Sequence, residues 1–209
     1  MNDTFKQSLD EFLINTASNN PTPGGGSVAA VAAALAASLV QMVGNLTVGK
    51  ERYRDVETEV QQLVNKGDAL TQELKTLATA DMAHFTTFME VLRMPKDTPA
   101  QVSVRNAAMQ RALMAATKTP LAIAAAGVEV LTVACRLAEI GSKNAISDAG
   151  AAACLAAGTI RAAIIIAEGN LDSIKDQEFL AWAEAEKQHL DSETNRLKAA
   201  TLVHMGQRM

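Results

Sequence analysis

The sequence predicts an all-α fold: a single-domain helical bundle (residues 1–209) of about seven or eight helices, with one long central helix and a homodimeric assembly. Three observations carry that expectation. First, hydrophobic residues make up 48% of the chain but aromatics only 3%, so alanine supplies much of the apolar content, which favours close-packed helices over sheets. Second, Val56, Val60, Leu63, Gly67, Leu70, Leu74, Leu77, Asp81, His84, Phe88 and Val91 alternate four and three apart without a break. That is the seam of a helix from Tyr53 to Arg93, about 60 Å long at 1.5 Å per residue. Third, no stretch alternates with the period of two that a half-buried strand requires.

In chain order, Thr4-x-x-Gln7 reads as a capping box for a first helix from about Phe5 to Ala17, with Phe5, Leu9, Phe12 and Leu13 on one face. Ser18 to Pro23 cannot continue it. The run Gly24-Gly25-Gly26-Ser27 then leads into an apolar helix, Val28 to about Val43, whose small residues on nearly every side call for protein all round. Its alanine content, with Ser38 and Gln41 interrupting the run, argues against a membrane span. Gly44 to Glu51 breaks the helix, and Lys50 to Arg54 open the long seam helix, which Met94-Pro95 stops.

Thr98 is placed to cap the next helix with Pro99 at its first position. That helix is expected to end near Thr119, with Pro120 starting another to Ile140. Ser147 or Asp148 reads as the cap of a helix from Ala149 to Ala167, and Asp176 as the cap of a charged helix to about Met205. Three nearly featureless apolar helices exceed what one subunit of this size needs for its core, so part of their surface is expected to meet a second copy in a symmetric dimer.

The net charge of −4 gives no basic field for nucleic acid. Cys135 and Cys154 lie in apolar helical runs and read as small buried thiols, and MNDTFKQSLDEF lacks an apolar signal core, which points to the cytoplasm.

Several residues are candidates for chemistry. A carboxylate in a seam, as Asp81 is, costs free energy to bury unless it is paired or has a task. Three consecutive glycines before a helix exceed what a cap needs, and they let backbone approach a ligand. Gly44-x-x-x-x-Gly49-Lys50 resembles a phosphate loop but carries Glu51 where a hydroxyl must hold the metal, and it follows a helix. Asp81-x-x-His84 and Glu186-x-x-His189 have the spacing of di-metal helical bundles, yet the two further inward glutamates are not evident. His84 alone reads more simply as a hydrogen-bonded core histidine. In the loop before the Ala149 helix, capping accounts for Ser147 or Asp148 and leaves Asn144 unused.

Taken together, Pro23-Gly24-Gly25-Gly26-Ser27, Asn45-Leu46-Thr47-Val48-Gly49-Lys50, Ala80-Asp81, Met94-Pro95-Lys96-Asp97-Thr98-Pro99 and Gly141…Asn144-Ala145-Ile146-Ser147-Asp148 resemble, in order and spacing, the cyclodeaminase/cyclohydrolase family. That family includes the cyclodeaminase domain of formiminotransferase-cyclodeaminase and stand-alone bacterial methenyltetrahydrofolate cyclohydrolases. Ser142 stands where many members have Asn. The resemblance implies an all-helical dimer that takes a tetrahydrofolate (poly)glutamate as substrate, with no bound cofactor, metal or nucleotide and no membrane partner.

It places the catalytic Asp on Asp81. It implies substrate contacts from Gly24, Gly25, Gly26, Ser27, Asn45, Lys50, Lys96, Asn144, Ser147 and Asp148. Lys50, Arg52 and Lys96 are suited to the anionic glutamate tail. The expected reaction is formimidoyltetrahydrofolate cyclodeaminase, releasing ammonia and forming 5,10-methenyltetrahydrofolate. Methenyltetrahydrofolate cyclohydrolase is the alternative. A non-catalytic folate-binding dimer and a di-metal bundle stand further off.

Overall fold

The structure is a computed structural model, and it describes residues 5–209. Those residues form six α-helices and no strand: α1 (Leu9–Thr16), α2 (Gly25–Asn45), α3 (Glu57–Leu92), α4 (Pro99–Ile140), α5 (Ile146–Leu171) and α6 (Gln177–Arg208). Short 3₁₀ turns, Glu51–Val56 and Lys143–Ala145, precede α3 and α5. The helices α2, α4 and α5 pack on one another; α3 covers α2 and α4 on one side, and α6 covers α4 and α5 on the other. The core is correspondingly alanine-rich, with Ala30, Ala33, Ala36, Ala37, Ala152 and Ala156 fully buried. Small side chains let these helix backbones approach closely. Larger residues such as Leu74, Leu131 and Ile160 fill the remaining volume, where truncation of a leucine to alanine costs about 2–5 kcal/mol.

From Val60 on, the seam of α3 behaves as its spacing predicts, but the stretch from Tyr53 to Val56, expected to open the helix, is part of a 3₁₀ turn and α3 starts at Glu57. Val60, Gly67, Leu70, Leu74 and Val91 are buried, and Leu63, Leu77, Asp81, His84 and Phe88 are half-buried. Thr98 and Gln101 make a reciprocal capping box at α4, and the Asp176 carboxylate accepts from the Phe179 N–H at α6. Both caps lie within three residues of the N–H groups they satisfy, which is what made them legible.

Other expectations need correction. The first capping box lies at Ser8 and Glu11; Thr4 falls outside the described residues. Of the face expected on α1, Phe12 is buried while Leu9 and Leu13 are exposed. Pro120 does not divide two helices: α4 is continuous for 42 residues, which brings the helix count below seven. Proline lacks an N–H, so the Ala116 carbonyl loses its usual partner within the helix; the side chain of Asn170 on α5 donates to it instead at 3.2 Å. The helix α5 begins at Ile146 with no side-chain cap, so neither Ser147 nor Asp148 serves, and it runs past Ala167 to Leu171. Cys154, expected buried, is exposed on the outer face of α5, and Cys135 is half-buried.

By length and composition α2, α4 and the Lys143–Leu171 stretch could each cross a membrane; here they pack together, with more than half of each apolar window buried inside the chain.

Candidate active site

The start of α2 explains the glycine run. Gly24 is the N-cap, and no side chain caps the helix locally. Gly25, Gly26 and Ser27 already lie in the first turn rather than in a loop before it. Ser27 is fully buried, and its hydroxyl donates to Oδ2 of Asp81 at 2.9 Å. The Ser27 N–H also reaches the same carboxylate. The cap of α2 therefore comes from α3, and it places an acidic group at the positive end of a 21-residue helix. A Cβ on Gly26 would lie 2.2 Å from Oδ1 of Asp81. Only a residue without a side chain lets the carboxylate sit there.

Asp81 is half-buried, and burial raises its carboxyl pKa above the ordinary aspartate value. The Ser27 hydroxyl, the Ser27 N–H and the nearby His84 ring each oppose that shift without cancelling it. The carboxyl therefore holds a proton more readily than a surface aspartate, the property a proton carrier near neutrality requires.

Asp81 opens onto a cleft of about 310 Å³, floored by Gly24, Gly25 and Gly26. Phe85 and Phe88, one and two turns further along α3, form one wall with ring centroids 6.3 Å apart. Ile166 and Asn170 of α5, Ala116 of α4, and Pro21 and Thr22 ahead of α2 line the rest. Apolar and aromatic walls with a few fixed polar groups suit a flat heteroaromatic ring. His84 stands outside that lining, with Nδ1 2.7 Å from the Thr119 hydroxyl.

A second group of candidates lies at the opposite end of α2, about 30 Å along the helix from Gly25. The Thr47 hydroxyl donates to the Val43 carbonyl at 2.7 Å and accepts from the Ser142 N–H at 2.8 Å. Tyr53 accepts from the Lys143 N–H at 2.9 Å. Burial works against the Tyr53 phenolate, but the Lys143 N–H, the Ser142 hydroxyl and the charges of Arg52 and Arg208 outweigh it and lower the phenol's pKa. Arg208 closes the end of α4 with bonds to the carbonyls of Ala138 and Gly141, at 2.7 and 2.6 Å. Asn45, Lys50, Asn144 and Ser147 are exposed on this end, and Asp148 is half-buried. Gly49 has φ +73°, a backbone that favours glycine, so the phosphate-loop look-alike is a turn.

Within one chain, then, Gly24, Gly25, Gly26, Ser27 and Asp81 come together. Asn45, Lys50, Asn144, Ser147 and Asp148 gather at the far end. Lys96 is exposed beyond the C-terminus of α3 and does not line the Asp81 cleft. Among the described residues no three His, Cys, Asp or Glu side chains cluster as a metal site would require, so Asp81-x-x-His84 and Glu186-x-x-His189 do not converge. Pro21, Thr22, Phe85, Phe88, Ala116, Ile166 and Asn170 were not foreseen as lining. The usable signal for Asn170 was Pro120: a proline inside a helix leaves a carbonyl that some donor must satisfy.

A family model described as formiminotransferase-cyclodeaminase matches residues 8–189. Methenyltetrahydrofolate cyclohydrolase of Methylorubrum extorquens is 38% identical over 173 residues, 83% of each chain. Formimidoyltransferase-cyclodeaminase of Mus musculus is 33% identical over 146 residues, and the match spans 70% of this chain but 27% of the mouse protein. The crystal structure of formiminotetrahydrofolate cyclodeaminase from Thermotoga maritima superposes with a TM-score of 0.88 at 28% identity, covering 97% of this chain and 98% of that one.

Proposed function

The chain belongs to the formiminotransferase-cyclodeaminase family, and from that premise we propose that it is a cytoplasmic folate one-carbon enzyme, a formimidoyltetrahydrofolate cyclodeaminase. The observation that carries the proposal is the half-buried Asp81 carboxyl of raised proton affinity, held by Ser27 at the glycine start of α2 and facing an aromatic cleft.

In this reading the pterin lies against Phe85 and Phe88. N10 of the folate attacks the carbon of the 5-formimino group, whose imino nitrogen is protonated, forming a C–N bond and a tetrahedral centre as the C=N π pair moves to that nitrogen. Asp81 removes the proton from N10 and delivers it to the amino nitrogen. The C–N bond to that nitrogen then breaks, ammonia leaves with the bonding pair, and the 5,10-methenyl cation remains. One carboxyl group performs both transfers, so protons and charge balance without a bound cofactor. Desolvation keeps the carboxyl ready for either direction of transfer.

A second reading is favoured by the 38% identity to the Methylorubrum cyclohydrolase over 83% of each chain. There the same carboxylate takes a proton from water as the water attacks the methenyl carbon; the C–N5 bond of the resulting carbinol then breaks as the carboxyl returns that proton to N5 and the hydroxyl proton is lost, giving 10-formyltetrahydrofolate. Absorbance of methenyltetrahydrofolate, followed with 5-formimino- and with 5,10-methenyltetrahydrofolate as separate substrates, tests both. Its appearance with ammonia release supports the deaminase, its disappearance supports the hydrolase, and no change in either assay overturns both.

A homodimer completes the proposal. Val28, Leu35 and Met42 repeat every seven residues along α2 and are exposed, as are Leu155 and Ile165 on α5 beside it. A second copy related by a two-fold axis across this face would run antiparallel. It would carry its Asn45–Lys50 and Asn144 end toward the Asp81 cleft, where the lysine could meet the folate glutamate tail. Leu35→Glu should convert the dimer to monomer in sedimentation and abolish turnover together; an active monomer would refute the shared site.

A further inference from the structure

We infer that Asn170 is a specificity residue of the Asp81 cleft, its side-chain oxygen accepting a hydrogen bond from an N–H of the reduced folate; the inference rests on the folate reading above. The orientation of the amide follows from its partner. The Nδ2 group donates to the Ala116 carbonyl at 3.2 Å, and a carbonyl can only accept. The other end of the amide, Oδ1, is therefore turned away from Ala116, and it has no hydrogen-bond partner among the described residues.

The Ala116 carbonyl is available because Pro120, four residues on in α4, has no N–H to give it. The proline acts as a positioning residue through Asn170. The end of α5 is held as well: the Ser173 N–H donates to the Asn170 carbonyl at 3.2 Å, and Gln110 of α4 donates to the Ser173 carbonyl at 2.9 Å. Asn170 and Ala116 both line the cleft that holds Asp81. The cleft thus has a carboxyl on its α3 side and, on its α5 side, a residue whose amide nitrogen is held by Ala116 and whose amide oxygen is unpaired among the described residues.

That pairing has chemical content. A neutral acceptor recognises N–H donors and gives nothing to a ligand that presents carbonyl oxygen at the same place. A reduced folate carries two sources of such donors, the pterin ring and the formimino nitrogen. Leaving a buried ligand N–H unpaired lowers affinity or rate by roughly tenfold to a hundredfold.

The test uses full-length Asn170→Ala and the similarly sized Asn170→Leu, each checked for a wild-type far-ultraviolet spectrum. Two quantities are measured: binding of tetrahydrofolate, which lacks the formimino group, and kcat/KM for 5-formiminotetrahydrofolate. A tenfold or greater loss in both places the bond on the pterin ring. A loss in kcat/KM with tetrahydrofolate binding unchanged places it on the formimino nitrogen. No loss in either, from a protein whose wild type binds folate, overturns the inference alone. A wild type that neither binds tetrahydrofolate nor turns over the formimino compound overturns it together with the folate reading. Pro120→Ala supplies the orienting control. It should raise KM severalfold in the wild-type background and leave it unchanged in the Asn170→Ala background. Equal effects in both backgrounds would show that the proline does not act through Asn170.

Discussion

The two ends of α2 handle polar groups in opposite ways. At the Gly25 end, a carboxylate from α3 is drawn into a half-buried position by two donors of one serine, and a glycine makes room for it. At the Asn45 end, Thr47, Tyr53 and Arg208 satisfy backbone groups and close the joins between helices, leaving Lys50 and Asn144 in solvent. The first end has the means to change a proton affinity. The second has a stable platform with free charges. The Asp81 end is therefore the one suited to proton transfer, and in the proposed dimer the Asn45 end would serve a substrate's outer part by reaching the cleft of the other copy.

The contrast can be broken most forcefully at Asp81. Asp81→Asn should lower turnover by about 10²- to 10⁴-fold, the range of general acid–base catalysis, with tetrahydrofolate binding retained; the methenyl assay and a binding titration measure the two. The same substitution should raise the melting temperature above the folded-state pKa of Asp81. The sign follows from the shift. A carboxyl whose pKa is higher in the folded than in the unfolded state contributes stability at pH values below its unfolded pKa, and loses that contribution as pH rises through the folded pKa. An amide carries no charge to desolvate, so its advantage should disappear as the pH is lowered.

Mixing sharpens the other side of the contrast. Asp81→Asn and Lys50→Glu, each inactive or weakened alone, should recover about one quarter of wild-type activity when unfolded and refolded together at equal amounts. Half of the dimers are then mixed, and each mixed dimer has one intact site. No recovery would confine each site to one chain.

Gly26→Ala comes next. Its methyl group would overlap Asp81 Oδ1, so the carboxylate must move, with a loss of about tenfold to a hundredfold in kcat and a stability cost of about 1–3 kcal/mol for overpacking. Activity and melting curves check both. The smallest expected effect is that of Ser27→Ala. Removing a hydroxyl that lowers the Asp81 pKa should move the acid limb of the kcat/KM profile to higher pH, with only a severalfold change at its plateau.

Much of this was legible in the sequence where one local rule acts alone. The four-three spacing of α3 placed Val60, Leu70 and Leu74 in the core, and Thr98 and Asp176 capped the helices they precede. Legibility failed where a distant group took over a local role. The glycine run reads as a ligand-binding turn before a helix at Val28, yet Ser27 already lies inside the helix and its hydroxyl is engaged by a residue 54 positions away. Pro120 reads as a helix start, yet Asn170 supplies the bond that lets α4 continue. Cys154 reads as buried because its neighbours are apolar, but one chain leaves the outer face of α5 uncovered. The catalytic candidate was visible as a charge in an apolar seam. The wall facing it was not, because Ile166 and Asn170 have no sequence relation to Asp81.

The most direct measurement is the ionisation of Asp81 itself, followed by carboxyl ¹³C resonance in the free enzyme and set beside the acid limb of kcat/KM. The carboxyl should titrate above the ordinary aspartate value, at the same pH as that limb. A carboxyl that titrates at or below the ordinary value, or activity that persists unchanged where Asp81 is protonated, would contradict its role as the proton carrier.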